Sequence, residues 1–242
     1  MAQSASRVWG AVALLAAGVL TLAAGSAVSD AAGSALAVTV DRLKPGGVIP
    51  GTYAYCVPAA QGHVTGGPNR SPAIRWSKGP AGTASYAIVV VDTDVPTVFT
   101  SANKEGQTIP ASLPRRDFYH WLLVDIAPTV TALPEGADST GVTPQGKPVG
   151  RTRYGVRGAN DYGGGGAVHG GYDGPCPPWN DTIVHHYHFI VYALDTAHLR
   201  LSGAFTGPHV MKAVQGHVLA KGEVVGIYTL NPDVAKRLGI KQ

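Results

Sequence analysis

Four side chains in this sequence are best suited to chemistry: Asp92, Asp94, His120 and His185. Asp92 and Asp94 stand two apart in the stretch Ser85–Pro96, directly after its five to six unbroken apolar residues. With side chains alternating at period two, both carboxylates point to one side if the chain stays extended. His120 and His185 each stand at the start of another apolar run. These residue types allow three kinds of site. Imidazole and loop backbone N–H groups could receive an oxyanion, with a carboxylate fixing each histidine tautomer. Two histidines and two aspartates could ligate zinc. A histidine base oriented by an aspartate could serve a hydrolase. A plainer reading stands beside these: Asp92 and Asp94 turn the chain, as Asp does in many loops, and each histidine is structural. The sequence has no G-x-S-x-G elbow, H-E-x-x-H pair, Walker loop or EF-hand loop. The glycine run at 163–166 neither follows a strand nor opens a helix, so it is not a dinucleotide fingerprint. Cys176 could be a nucleophile, but a disulfide to Cys56 would remove it. No catalytic residue, metal ligand set or cofactor is therefore assigned.

The elements that position these residues are strands. Within Ser85–Pro96 five to six apolar, largely β-branched residues run without a break before Asp92, which predicts a strand covered on both faces. Pro96 has no N–H for the ladder and ends the pairing. Residues 118–126 predict a second long strand entered at His120, and His185–Leu194 a third. On the third, Tyr187, Phe189 and Val191 fall on one face and His186, His188, Ile190 and Tyr192 on the other. Shorter strands are predicted near 37–40, around Tyr53 and Tyr55, at 73–76 and at 224–230. Residues 97–117 and 133–172 read as long loops, which in a compact domain are usually functional or mobile. One helix is predicted, over 208–220, with Val210, Val214 and Val218 in its apolar stripe, Thr206 as cap and Gly222 at its end. The fold class is mainly β.

Composition narrows the rest. The chain has 242 residues, of which only 14% are charged, with 32 glycines and 18 prolines. Its net charge of +4 is modest. It contains no run of Lys or Arg, so nucleic acid has no electrostatic footprint. Residues 8–29 are uncharged and rich in Ala, Leu, Val and Gly, and Arg7 is the only charge before them. Residues 1–27 read as a signal peptide, with cleavage as late as 37, and residues 38–242 as the exported domain, periplasmic or secreted. An uncleaved anchor is the competing reading, since the run is just long enough to span a bilayer. The two cysteines, Cys56 and Cys176, suit a disulfide in an oxidising compartment, the alternative being two buried thiols.

Several segments taken together resemble a known family. They are Asn69-Arg-Ser-Pro72 with Ile74-Arg-Trp76, Val91-Asp-Thr-Asp-Val-Pro96, His120-Trp121, Gly171-Tyr-Asp-Gly-Pro-Cys-Pro-Pro178, and His185-His-Tyr187 with Tyr192-Ala-Leu-Asp195. In this order they resemble the phosphatidylethanolamine-binding protein family, in its bacterial Raf-kinase-inhibitor-like branch. The resemblance implies a large central antiparallel sheet, a smaller flanking sheet and a C-terminal helix. It implies a small pocket for phosphate-like or carboxylate anions, such as a phospholipid headgroup. Asp92, Asp94 and Pro96 would line that pocket, His120 and His185 would contact the anion, and Cys176, Pro177 and Tyr187 would form its rim and wall. It also implies binding or inhibition rather than turnover, with a kinase or protease as an open partner and membrane contact only through the leader or a headgroup. A His/Asp-dependent hydrolase and an interaction protein with a vestigial pocket are the alternatives. Two positions depart from the family pattern. Thr93 stands where a proline is usual between the aspartates. His186 stands where an arginine is usual, which makes any carboxylate pair there weaker and pH-sensitive.

Overall fold

The apolar runs need cover on both faces, and the architecture supplies it. The computed structural model describes Met1, residues 35–163 and residues 167–241. The leader read at 1–27 lies, after Met1, outside the described residues, as does most of the glycine run at 163–166. The strands in chain order are β1 (Val38–Val40), β2 (Cys56–Pro58), β3 (Val64–Gly66), β4 (Ile74–Trp76), β5 (Ser85–Pro96), β6 (Arg115–Ile126), β7 (Ala132–Leu133), β8 (Gly150–Arg151), β9 (Val156–Arg157), β10 (His185–Leu194) and β11 (Val218–Tyr228). Among the described residues there are two short α-helices, α1 (Gly207–Ala213) and α2 (Pro232–Leu238).

The central sheet has six strands in the order β11-β10-β5-β6-β9-β8, and every neighbouring pair is antiparallel. A three-stranded sheet, β1-β4-β7, flanks it, and β2-β3 forms a separate hairpin. On one face Tyr86, Ile88, Val90, Trp121, Phe189 and Val191 share a buried core with Val40, Ile74 and Trp76 of the flanking sheet. On the other face Ala87, Val89, Leu122, Ile190 and Tyr192 pack with Phe205, Val210 and Val214 from around α1. The alternate members of β5 thus enter different cores, which is why the run is apolar without alternation. β5 and β10 occupy the residues their sequence predicts.

Several boundaries differ from the sequence reading. The helix expected over 208–220 ends at Ala213, because Gly216 takes a positive φ of 79° and turns the chain. Val218 then opens β11, so Gly222 lies inside a strand rather than at a helix end. A second helix, α2, was not expected; Asn231 caps it, its side chain accepting from the backbone N–H groups of Asp233 and Val234. Tyr53 closes a 3-10 turn, Gly51–Tyr53, not a strand. The loop expected to reach residue 117 gives way to β6 at Arg115, and the long loop at 133–172 contains the short pair β8-β9.

The disulfide Cys56–Cys176 joins the β2-β3 hairpin to the segment that precedes β10. It closes a sequence separation of 120 residues. In the chain-entropy account such a loop stabilises the fold by on the order of 4–5 kcal/mol. Cys56→Ser together with Cys176→Ser should therefore lower the urea midpoint markedly without changing the folded circular dichroism spectrum. An unchanged midpoint would show that the bridge does not constrain the unfolded chain.

Candidate functional site: a small cavity at the end of the central strands

Two irregularities in the sheet create the cavity. Opposite β5, Val90 pairs with Trp121 but Val91 pairs with Tyr119, so His120 is an extra residue in β6. Further along, Asp92 pairs with Phe118 and Val95 with Arg116, so β5 carries an extra residue of its own. Bulges of this kind re-aim side chains and open the ladder next to binding sites. The first holds His120 where its ring lines the cavity. The second breaks the period-two alternation that places Asp92 and Asp94 on one side.

The two aspartates therefore separate. Asp92 is 1% exposed and lines the cavity, with Val95, Phe99, Phe118, His120, Tyr162, Cys176, Pro177, Pro178, His185 and Tyr187 around it. Asp94 turns away: its backbone N–H donates to Asp92 Oδ1 at 2.8 Å, and its Oδ2 accepts from both the backbone N–H and Nδ1 of His186, each at 2.8 Å. Pro96 ends β5 opposite Arg115 and is not among the lining residues. Of the eight residues expected at the site, Asp94 and Pro96 are thus displaced, and the physical reason is the bulge between them and Asp92. His186 takes up a carboxylate where the family pattern has an arginine, and with half-exposed surroundings the pair is not part of the cavity wall.

His185 is fully buried and has no free nitrogen. Nδ1 donates to Asp92 Oδ2 at 2.7 Å and Nε2 donates to Asp181 Oδ2 at 3.1 Å. Arg115 in turn grips Asp181 with two nitrogens, at 2.6 and 3.1 Å. Burial opposes charge on His185, but the two carboxylates outweigh it and raise its pKa to about 9. Asp181 is pulled down: burial would raise it, but the hydrogen bonds from His185 and Arg115 prevail. His185 is therefore an imidazolium with both protons committed, and it offers no base to a hydrolytic reaction.

His120 is the opposite case. Its Nδ1–H donates to the Asp173 carbonyl at 2.8 Å, which fixes the tautomer. The ring is 3% exposed and packed by Phe118, Tyr162 and Tyr187, with ring centroids 5.1, 5.5 and 5.1 Å away. Burial lowers its pKa, and Asp92 and Asp173 oppose this without reversing it. The remaining nitrogen, Nε2, is buried and has no partner. The Tyr187 hydroxyl is likewise buried without a hydrogen bond of ordinary geometry. Burial first, and the charge of Asp92 second, hold that phenol well above its usual pKa, so it keeps its proton.

The rim is tied down by polar contacts that local patterns do not reveal. Asn69 is fully buried; its Nδ2 donates to Asp173 Oδ1 at 2.7 Å and its Oδ1 accepts from the Gly174 N–H at 2.8 Å. Asp173 also accepts from Lys147 and Asn160. A Cβ at Gly174 would lie 1.8 Å from the Tyr53 carbonyl oxygen, so only glycine fits there. On the other side Asn180 Nδ2 donates to the carbonyls of Ser101 and Gln107, holding the loop that carries Phe99 and Asn103. Asp181, Arg115, Phe118 and Tyr162 were missed in the sequence. Asp181 stands four residues before His185, a spacing with no meaning until the turn before β10 is formed. Among the described residues no group of three or more His, Cys, Asp or Glu side chains is arranged to hold a metal ion.

The class is thus a two-faced β fold with a small, aromatic-walled cavity at the end of its central strands. A profile of the phosphatidylethanolamine-binding protein family matches residues 39–229, and the chain belongs to that family. It is 30% identical over 201 residues to the UPF0098 protein YbcL of Escherichia coli, covering 83% of this chain and 91% of that one. A UPF0098 protein of Pyrococcus horikoshii is 43% identical over 115 residues, covering 48% of this chain and 51% of its own length. The crystal structure of YbcL, described as a new member of the mammalian family, superposes with a TM-score of 0.58 at 28% identity, covering 81% of this chain and 99% of that one. A homologue from Chlamydia trachomatis, described as a putative family member, gives 0.54 at 27%, covering 80% and 97%.

The buried charges set a pH signature. His185 has a folded pKa of about 9, above its unfolded value. Its contribution to stability is therefore complete below about pH 6.5 and is lost as pH rises through about 9. The urea midpoint should fall across that window, and Asp181→Asn, which removes one of the two carboxylates, should flatten the fall. A midpoint equally steep in the variant would remove Asp181 from the account.

Proposed function

We propose that the protein is an exported binding protein whose cavity holds a small oxyanion group, phosphate-like or part of a phospholipid headgroup, and that it acts by binding rather than turnover. The observation that carries this is the pair of buried, unpartnered polar atoms in the cavity, His120 Nε2 and the Tyr187 hydroxyl. Leaving such atoms unsatisfied costs on the order of 1–3 kcal/mol each, so a ligand that satisfies both recovers that cost. The volume limits the guest. The cavity is ≈ 160 Å³, below the roughly 300–1,000 Å³ of pockets that enclose drug-sized molecules. That suits a headgroup fragment with the remainder outside the mouth. Both His185 nitrogens are committed, so the histidine held by carboxylates offers no base. Family membership agrees with this role.

Titration with phosphoethanolamine, followed by NMR of the His120 and Tyr187 rings, should give saturable shifts at both. Tyr187→Phe should weaken the affinity by on the order of 10-fold, the worth of one hydrogen bond to a charged group. No shift at either ring up to millimolar ligand would overturn the reading.

Export is supported by the leader-like composition of residues 1–27 and by the disulfide, which suits an oxidising compartment. Fractionation of cells expressing the full chain should place the protein outside the cytoplasm with Cys56 and Cys176 blocked to thiol reagents. Recovery in the cytoplasm with two free thiols would count against it.

A further inference from the structure

The unpartnered nitrogen of His120 says more than that something polar binds. Because Nδ1–H is spent on the Asp173 carbonyl, Nε2 in the neutral ring is a lone pair, an acceptor. The Tyr187 hydroxyl beside it, with ring centroids 5.1 Å apart, keeps its proton; the Asp92 carboxylate lies near but not at hydrogen-bond geometry, so the hydroxyl remains a donor without a geometric partner. A fully ionised oxyanion satisfies the tyrosine but sets its own lone pairs against those of Nε2. A group that presents one oxygen bearing hydrogen and one without satisfies both atoms at once.

We propose that the cavity selects a protonated oxyacid: a phosphate monoester bound with one hydrogen between its oxygen and His120 Nε2, so that binding takes up a proton at neutral pH. This rests on the oxyanion reading above and specifies the chemical form of the guest. The proton balance closes in either of two equivalent ways. The monoester monoanion brings its own P–OH, which donates to Nε2. Alternatively Nε2 takes a proton from solvent and donates it to the dianion. The complex is the same, and it holds one proton more than the dianion and neutral ring together. A monoester has its second pKa near about 6, so at pH 6 half of it already carries the hydrogen. A diester has no P–OH and can bind only by charging the ring.

The surroundings disfavour charging the ring. Groups facing His120 are Asp92 from β5, Phe118 on its own strand, Asp161 and Tyr162 from the loop after β9, Asp173, and His185 and Tyr187 from β10. The charge of Asp92 is matched by the His185 imidazolium and that of Asp173 by Lys147. Asp161 Oδ2 accepts from the Tyr119 backbone N–H. The carboxylates of Asp92, Asp173 and Asp161 favour charge on the ring, but burial among three aromatic rings outweighs them and keeps it neutral. His120 is therefore a specificity-determining residue that favours monoesters over diesters.

The test is calorimetric titration of the full exported domain with phosphoethanolamine, a monoester, and with glycerophosphoethanolamine, the diester of a lipid headgroup. Each is run at pH 7.5 in two buffers of different ionisation enthalpy. The monoester should bind at least 10-fold tighter and take up close to one proton. Its affinity should fall about 10-fold per pH unit between pH 7 and 8.5. His120→Gln, whose amide donates without a proton from solvent, should bind with no uptake and a flat pH profile. Binding of the monoester with no proton uptake, or equal binding of both esters, would overturn this proposal and leave the oxyanion reading standing. No binding of either ester would overturn that reading itself.

Discussion

A buried row of alternating charges, Asp92, His185, Asp181 and Arg115, holds the cavity together. Each member comes from a different stretch: the end of β5, the start of β10, the turn before it, and the start of β6. Taking such charges out of water is costly, and only close geometry with every proton placed returns the cost. Here each His185 nitrogen has a carboxylate and Asp181 has two nitrogens of Arg115. Two positive and two negative groups balance, so the row can be buried without leaving a net charge in the wall. Its role is positional. It draws these stretches to one point and fixes Asp92 in the floor.

The two cavity histidines illustrate how environment divides one residue type into two functions. His185 lies between carboxylates and stays charged, with no free hydrogen-bonding capacity. His120 lies among aromatic rings, is held through one nitrogen, and stays neutral with the other free. The first is structural in its consequences; the second faces the cavity. Reading both as anion contacts, as their positions in the sequence suggest, merges roles that burial and partnership separate.

Much of the fold was legible. The apolar run before Asp92 with the proline at 96, and the alternation at 185–194, mark β5 and β10 at their actual bounds. Six of the eight expected site residues do line the cavity: Asp92, His120, Cys176, Pro177, His185 and Tyr187. Asp94 and Pro96 were misplaced because a bulge has no local signature: it arises from a mismatch between two strands, and one strand's sequence carries only half of that. The helix was drawn too long for a related reason. Val218 continues an apolar spacing that suits a helix, but the turn at Gly216 and the edge of β10 claim it for a strand.

The sequence by itself determined the class of fold and the family, because burial on both faces dictates composition along a strand and the motifs follow in order. The tertiary structure alone decided which polar atoms remain free. Asp181, Arg115 and Asp173 are ordinary loop and strand-end residues in the chain. Only convergence lets Asp92 and Asp181 consume both nitrogens of His185, with Arg115 holding Asp181, and the Asp173 carbonyl consume one of His120. Hydrogen-bond satisfaction is a property of atoms at contact distance, and contact across scores of residues is not encoded in any local pattern.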